Sequence, residues 1–173
     1  MAAVIVQAIR SDWDAIAQLN VEAYAEYGAQ LAPAAWDGMR ANLVVIGQVA
    51  QQASFSVARV DQALAGSVAY CAPGKANPDI FPPDWASILL LAVLPRYRGQ
   101  GIATILVQTC IDQARRDHAA VVGLYTSELM TTARRLYERL GFQQDGEIPR
   151  RHGLRYWRFR LPLAPDSGAC PTP

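Results

Sequence analysis

The stretch RYRGQGIATIL (residues 96–106) sets two glycines, Gly99 and Gly101, between two apolar runs. Upstream, SILLLAVL (87–94) has no polar alternation, which predicts a central strand covered on both faces. Downstream, Ala103, Leu106, Val107, Cys110, Ile111 and Ala114 recur at helical spacing, so a helix should run from the second glycine to about Asp117. A strand, a glycine turn and a helix in that order aim several backbone N–H groups at one spot near the positive end of the helix dipole. Small residues at 99, 101 and 103 let a phosphate approach the main chain there, and Arg98 can add charge at the rim. A plain tight turn, with glycine serving only its φ angles, satisfies the same residues.

Two well-defined phosphate loops do not fit. A Walker A loop, GxxxxGK[ST], fails because Thr104 and Ile105 stand where its second glycine and lysine belong. The dinucleotide fingerprint GxGxxG matches Gly99 and Gly101 but meets Thr104 at its third glycine, and no acid follows about 20 residues on.

The chain has 173 residues, 51% of them hydrophobic and 18% charged, which suits one globular domain. A net charge of +1 gives no reason to expect nucleic acid as a partner. No apolar run approaches the ~20 residues of a membrane helix, so no membrane partner is expected either. MAAVIVQAIR has no basic leader region, and Asp12 and Asp14 follow closely, so a cytoplasmic address is expected. Cys71, Cys110 and Cys170 are odd in number, without a CxxC pair, and predict neither structural disulfide nor zinc. His118 and His152 are too isolated to suggest a metal site or a catalytic pair. Among the basic residues only Arg150, Arg151, Arg155, Arg158 and Arg160 are dense, and the period-2 spacing of the last two suggests a solvated strand face.

Along the chain α and β patterns alternate. A strand is expected at 4–9, then a helix opened by a capping-box-like Ser11 and Asp14, with Ile16, Leu19, Ala23 and Tyr27 on one side. Pro33 opens a second helical stretch carrying Trp36, Met39, Leu43 and Val49, weakened near its end by Gly47. Strands at 55–60 and 63–71 form a hairpin across Asp61 and Gln62. The proline-rich segment 72–85 is a partly stiff loop, either a wall of a site or a connector. After the glycine turn and its helix, a strand at 120–126 should run parallel to 87–94. TTARRLYERLGF then forms a helix with Ala133, Leu136, Tyr137 and Leu140 on one face, Gly141 at C′ and Phe142 making the C-cap contact. Strands at 143–147 and 155–161 close the domain, set at 1–163, and residues 164–173 form a frayed, flexible tail.

LAVLPRYRGQGIA and ARRLYERLGF together resemble the GCN5-related N-acetyltransferase (GNAT) family, whose loop pattern [Q/R]xxGx[G/A] is filled here by Arg98, Gly101 and Ala103. The resemblance covers the order of elements from about residue 4 to 163. It implies an α/β (α+β) fold with a mixed, mostly antiparallel sheet of about six or seven strands flanked by about four helices. It also implies that the loop of Arg98, Gly99, Gln100, Gly101, Ile102, Ala103 and Thr104 binds the pyrophosphate of acetyl-CoA through main-chain amides. The preceding strand should splay from the next one after a bulge, freeing the main chain of Leu91, Ala92 and Val93 for the pantetheine arm. Tyr137 matches the family tyrosine beside the coenzyme sulfur, the general acid, although its ring could equally pack on Phe142. Met130 stands where many relatives carry an asparagine, so apolar contact replaces a side-chain hydrogen bond to pantetheine.

The chemistry so implied sets three demands. An amine with a pKa of about 10.4 must lose a proton before attack, the oxyanion needs a donor such as the Val93 N–H, and the departing thiolate needs a proton. Neither strand flanking the loop carries a carboxylate, so the base is sought among Glu22, Glu26, Asp84 and Glu128 near the cleft mouth, with a water chain equally open. The expected activity is acyl-CoA-dependent N-acyltransfer, acetyl passing from acetyl-CoA to a primary amine by direct attack, without a metal. The acceptor is a small-molecule or peptide amine, and a homodimer stays open. The missing strand carboxylate and Met130 keep an alternative in view, a non-catalytic acyl-CoA-binding or sensing module.

Overall fold

The central strands are buried in long unbroken runs because helices cover both faces of the sheet. The computed structural model describes residues 2–164. The expected flexible tail, apart from Ala164, and Cys170 with it, lie outside the described residues. The elements are β1 (Val4–Gln7), α1 (Trp13–Gly28), α2 (Pro33–Leu43), α3 (Ile46–Val49), β2 (Ser54–Val60) and β3 (Ala63–Cys71). They continue with β4 (Trp85–Val93), α4 (Ile102–Arg116), β5 (Val121–Ser127), α5 (Thr131–Arg139), β6 (Gln143–Arg151) and β7 (Leu154–Pro162). The seven strands form one sheet in the order β1-β2-β3-β4-β5-β7-β6, antiparallel throughout except for β4 with β5. The expected mixed, mostly antiparallel sheet is therefore present.

On one face Val68, Tyr70, Ile88, Val122, Leu124 and Phe159 pack under α4 and α5. On the other, Phe55, Val57, Ala69 and Cys71 meet Ile16 of α1 and Ile46 of α3. The 62-position turn of the β2–β3 hairpin works without glycine: Asp61 and Gln62 both take positive φ, +49° and +69°, as a tight two-residue turn requires. The end of α5 follows the expected pattern closely. Phe142 N–H donates to Tyr137 O and Gly141 N–H to Glu138 O, with Gly141 at φ +94°, and the Tyr137 and Phe142 rings meet edge-on at 5.8 Å.

Four local expectations are corrected. Ser11 does not cap α1: residues 10–12 make one 3-10 turn, Asp12 accepts from Ile9 N–H at 2.9 Å, and its other oxygen holds Arg59 at 2.6 Å. The helix start is thereby tied to the sheet rather than to its own first turn. The second helical stretch breaks at residues 44–45 into α2 and α3, not at Gly47, whose missing side chain lets α3 lie against Trp13. β4 is covered on both faces only in its first half, since residues 89–91 are half-exposed. Arg158 is not a solvated surface charge. Its guanidinium donates to Ile80 O at 2.6 Å, pairs with Asp145 at 2.7 Å and lies 4.9 Å over the Trp85 ring, fastening the loop before β4.

Both described cysteines are buried, and burial pushes the Cys71 thiol up and the Cys110 thiol up to about 12 from an ordinary 9.0. A pKa raised by folding stabilises the fold below the unfolded value and loses that contribution as pH rises toward the folded one. For Cys110 the loss falls between pH 9.0 and about 12. Urea unfolding should therefore weaken more steeply with pH above about 9 in the wild-type protein than in Cys110→Ala. Equal slopes would remove the thiol as a cause.

Candidate active site

The cleft begins where β4 and β5 stop pairing. Their parallel ladder ends at Ser87 and Gly123, although both strands run on for several residues. The cause lies in β4. Ser67 of β3 faces Ala92 while Ala69 faces Leu89, so one extra residue is inserted, and Leu90 takes φ +52°. A bulge of this kind bends its strand and increases the local twist. It turns β4 away from β5 and opens a cleft of about 820 Å³ through the sheet.

Ladder alternation decides which main-chain groups face the gap. Leu94 N–H donates to Ala65 O, so Leu94 and Ala92 turn their amides toward β3, and Leu91 and Val93 turn theirs away. Of the three residues expected to offer free main chain, Ala92 is therefore engaged on the β3 side and contributes a wall. Tyr24 donates its hydroxyl to Leu91 O at 3.0 Å, and Arg98 Nε donates to Val93 O at 3.2 Å. The N–H groups of Leu91 and Val93 are left toward the gap, the direction in which an added extended ligand would pair.

Beyond β4 the chain makes the glycine turn. Gly99 and Gly101 sit at φ +75° and +78°, and a Cβ built on either would meet nothing within 4 Å. Open space thus lies over both. No side chain caps α4, so its first N–H groups, those of Ile102, Ala103 and Thr104, face that space unclaimed. Arg98 does not reach over the turn as a rim charge. It donates to Ala23 O at 2.8 Å and to Glu26 at 2.9 Å as well as to Val93 O, so it binds the turn to α1 and β4.

The expected residues come together to a large degree. Leu91, Ala92, Val93, Arg98, Gly99, Gly101, Ala103, Thr104, Met130 and Tyr137 all line the cleft. Ile102 lines it too, although its side chain sits mostly in the core below α4 at 2% exposed, whereas Gln100 does not, being exposed at the tip of the turn. Tyr137 is 6% exposed, and burial pushes its phenol pKa up, so its proton is held at neutral pH. Thr126 Oγ1, also on the lining, is buried without a hydrogen-bond partner among the described residues.

The candidate acids separate. Glu26 alone among them lines the cleft, and it is engaged by Arg98. Glu22 pairs with Arg96, Glu128 accepts the Arg155 N–H, and Asp84 is exposed at the opposite end of β4. The proline-rich loop contributes no lining residue either. Its Phe81 packs instead on Gly123, where a Cβ would stand 2.7 Å from the ring.

Around Tyr137 stand four further phenols that no sequence pattern joins to it. Tyr24 lies in the gap, its pKa raised by burial and then by the neighbouring phenols of Tyr137, Tyr27, Tyr156 and Tyr125. These five come from α1, β5, α5 and β7, so no local pattern links them. Arg151 and His152, at the β6–β7 turn, also line the cleft.

The sequence model of the Acetyltransferase (GNAT) family matches residues 13–142. The chain belongs to this family. Among curated relatives, N-alpha-acetyltransferase 30 of Schizosaccharomyces pombe is 44% identical over 79 residues, 46% of this chain and 53% of the relative. The mouse Probable N-acetyltransferase family 8 member 5 is 44% identical over 57 residues, 33% of this chain and 25% of the relative. These matches span about a quarter to a half of the relatives' lengths. Solved GNAT-like structures cover nearly the whole chain. The PaiA N-acetyltransferase of Thermoplasma acidophilum, solved in complex with coenzyme A, superposes with TM-score 0.74 at 13% identity, covering 94% of this chain and 100% of that one. Ard1 of Thermoplasma volcanium gives 0.74 at 18%, covering 95% and 99%. The GNAT fold is thus common to chains of very different sequence. No helix among the described residues is long and apolar enough to cross a membrane.

Proposed function

We propose that this GNAT protein transfers the acetyl group of acetyl-CoA to a primary amine. The observation that carries this is the parting of β4 and β5 beside an uncapped glycine turn, which supplies strand-like donors and an anion cradle in one continuous cleft. The fit to coenzyme A is physical. The open space over Gly99 and Gly101 admits a pyrophosphate against main-chain N–H groups, and the orphaned Thr126 hydroxyl awaits a polar partner.

In this reading the Leu91 and Val93 N–H groups hold the pantetheine end, and the Val93 N–H donates to the thioester carbonyl as negative charge builds there. Tyr137, neutral and aimed into the cleft, gives its proton to the leaving sulfur. The ammonium proton passes out to solvent first, the free amine nitrogen then forms the amide bond as the carbon–sulfur bond breaks, and the second nitrogen proton returns to Tyr137 and restores its phenol. Glu26, the one candidate acid on the lining, is held by Arg98.

Calorimetry with acetyl-CoA, CoA and NAD, followed by thiol release on an amine panel, tests the proposal. Failure to bind either coenzyme A species would overturn it. Binding without acceptor-dependent thiol release would favour the sensing module instead. Because Arg98 braces the turn from three sides, Arg98→Met should raise the KM for acetyl-CoA about tenfold, the scale of losing charge-assisted hydrogen bonds, with kcat little changed. An unchanged KM would leave the brace without a role in binding.

A further inference from the structure

The far end of the cleft, away from the glycine turn, is walled by Met39, Asn42 and Leu43 of α2, by Leu90, and by Tyr125 and Tyr156. Its charged lining is one-sided. Arg151 stands there, and no carboxylate does, Glu26 being the sole acid on the lining and engaged by Arg98.

Of the three arginines on the cleft lining, Arg98 is paired, and Arg139 and Arg151 hold no carboxylate among the described residues. Arg59, Arg96, Arg98, Arg134, Arg155 and Arg158 each hold a carboxylate within 3.0 Å. Arg151 has none among the described residues. Its contacts are with one side chain, Nη1 donating to Tyr125 OH at 3.1 Å with the guanidinium 4.8 Å over that ring. A guanidinium carries five N–H donors in a planar fork suited to a carboxylate, so most of this fork is unspent while the side chain is half-buried.

The hairpin tip is latched in place. His152 and Gly153 form a two-residue turn at φ +53° and +75°. The imidazole sits on α2, where a Cβ at Gly38 would stand 3.1 Å from Nδ1, and Asn42 Nδ2 lies 3.5 Å from Nε2. The latch holds Arg151 over the cleft. Its charge is felt inside, for it offsets part of the rise that burial and Tyr125 impose on the Tyr156 phenol.

We propose that the acceptor is an amine bearing a carboxylate near its nitrogen on an apolar or aromatic body, an amino acid rather than a polyamine, and that Arg151 holds the carboxylate. This rests on the acetyltransferase reading above. A polycation would find no counter-charge here and would be repelled, while a neutral amine would leave the Arg151 fork unpaired in a half-buried site. The apolar walls suit a side chain of the phenylalanine or methionine kind.

The test compares phenylalanine, phenylalanine amide, phenethylamine, spermidine and a short peptide beginning with aspartate as acceptors. Thiol release from acetyl-CoA and calorimetric binding in the presence of CoA are the two readouts. Phenylalanine should exceed its amide and phenethylamine by about tenfold to a hundredfold in kcat/KM, the worth of charged hydrogen bonds. Arg151→Met should erase that preference while leaving the KM for acetyl-CoA and the amide rate within about twofold, and Arg151→Lys should restore part of it. A peptide better than the free amino acid would move the carboxylate's source to a peptide side chain and overturn the free amino acid assignment. Acetylation with no carboxylate preference, or equal loss of all acceptors in Arg151→Met, would overturn the subsite and leave the transferase reading standing. Carboxylate-selective binding without any thiol release would keep the subsite and overturn the transferase reading.

Discussion

Tyr137→Phe is expected to lower kcat by about two to three orders of magnitude, the usual contribution of a positioned proton donor, with the acetyl-CoA dissociation constant almost unchanged. The substitution removes one oxygen and keeps the ring. That ring makes the edge-on contact with Phe142 at 5.8 Å, and the Tyr137 carbonyl accepts the Phe142 N–H that closes α5. Packing and helix capping therefore survive, and the thermal midpoint should move little. The hydroxyl has no hydrogen-bond partner among the described residues, and burial keeps it protonated, so it is spare for chemistry. Steady-state rates with one good acceptor, alongside calorimetry with acetyl-CoA, decide the matter. Equal turnover in both proteins would return Tyr137 to a packing role.

Gly101→Val should weaken acetyl-CoA binding by about a hundredfold or more, through strain and occlusion together. Gly101 sits at φ +78°, where a β-branched residue is a genuine outlier. The strain alone costs about 1–2 kcal/mol of stability. A Cβ at this position meets no protein atom within 4 Å, so the empty protein has room for it. That room is the proposed seat of the pyrophosphate. Urea unfolding measures the strain and calorimetry measures binding. A loss of affinity no larger than the loss of stability would mean that the turn is shaped by glycine without serving a ligand.

Much of this fold was legible before any coordinates. The stripe at 103, 106, 107, 110, 111 and 114 is α4, with Ile102 joining it in the core and Ala103 at its edge, packed on the core and lining the cleft as well. Gly141 and Phe142 closed α5 as expected because a C-cap is local chemistry, readable from a few adjacent residues. The start of α1 was misread for the opposite reason. Asp12 is held by Arg59 of β2, a partner 47 residues away, which no capping pattern can anticipate. The spacing of Arg158 shows only that it lies on a strand, and on that alone it reads as a solvated charge. Its true surroundings, Trp85, Asp145 and Ile80, come from three other parts of the chain.

Local sequence is enough for the strand–turn–helix unit, the parallel β5 after it, and the glycines that shape a cradle, since each depends on neighbours a few residues apart. What that cradle opens onto depends on contacts between distant parts of the chain. The bulge at Leu90 splits the sheet, and five distant tyrosines meet in the gap. Arg98, expected at the rim, became a brace, while Arg151, one arginine in a dense run, became a cation of the far wall with no carboxylate partner among the described residues. A charge is written in the sequence, but its partner is set by which surfaces the fold brings within a few ångströms.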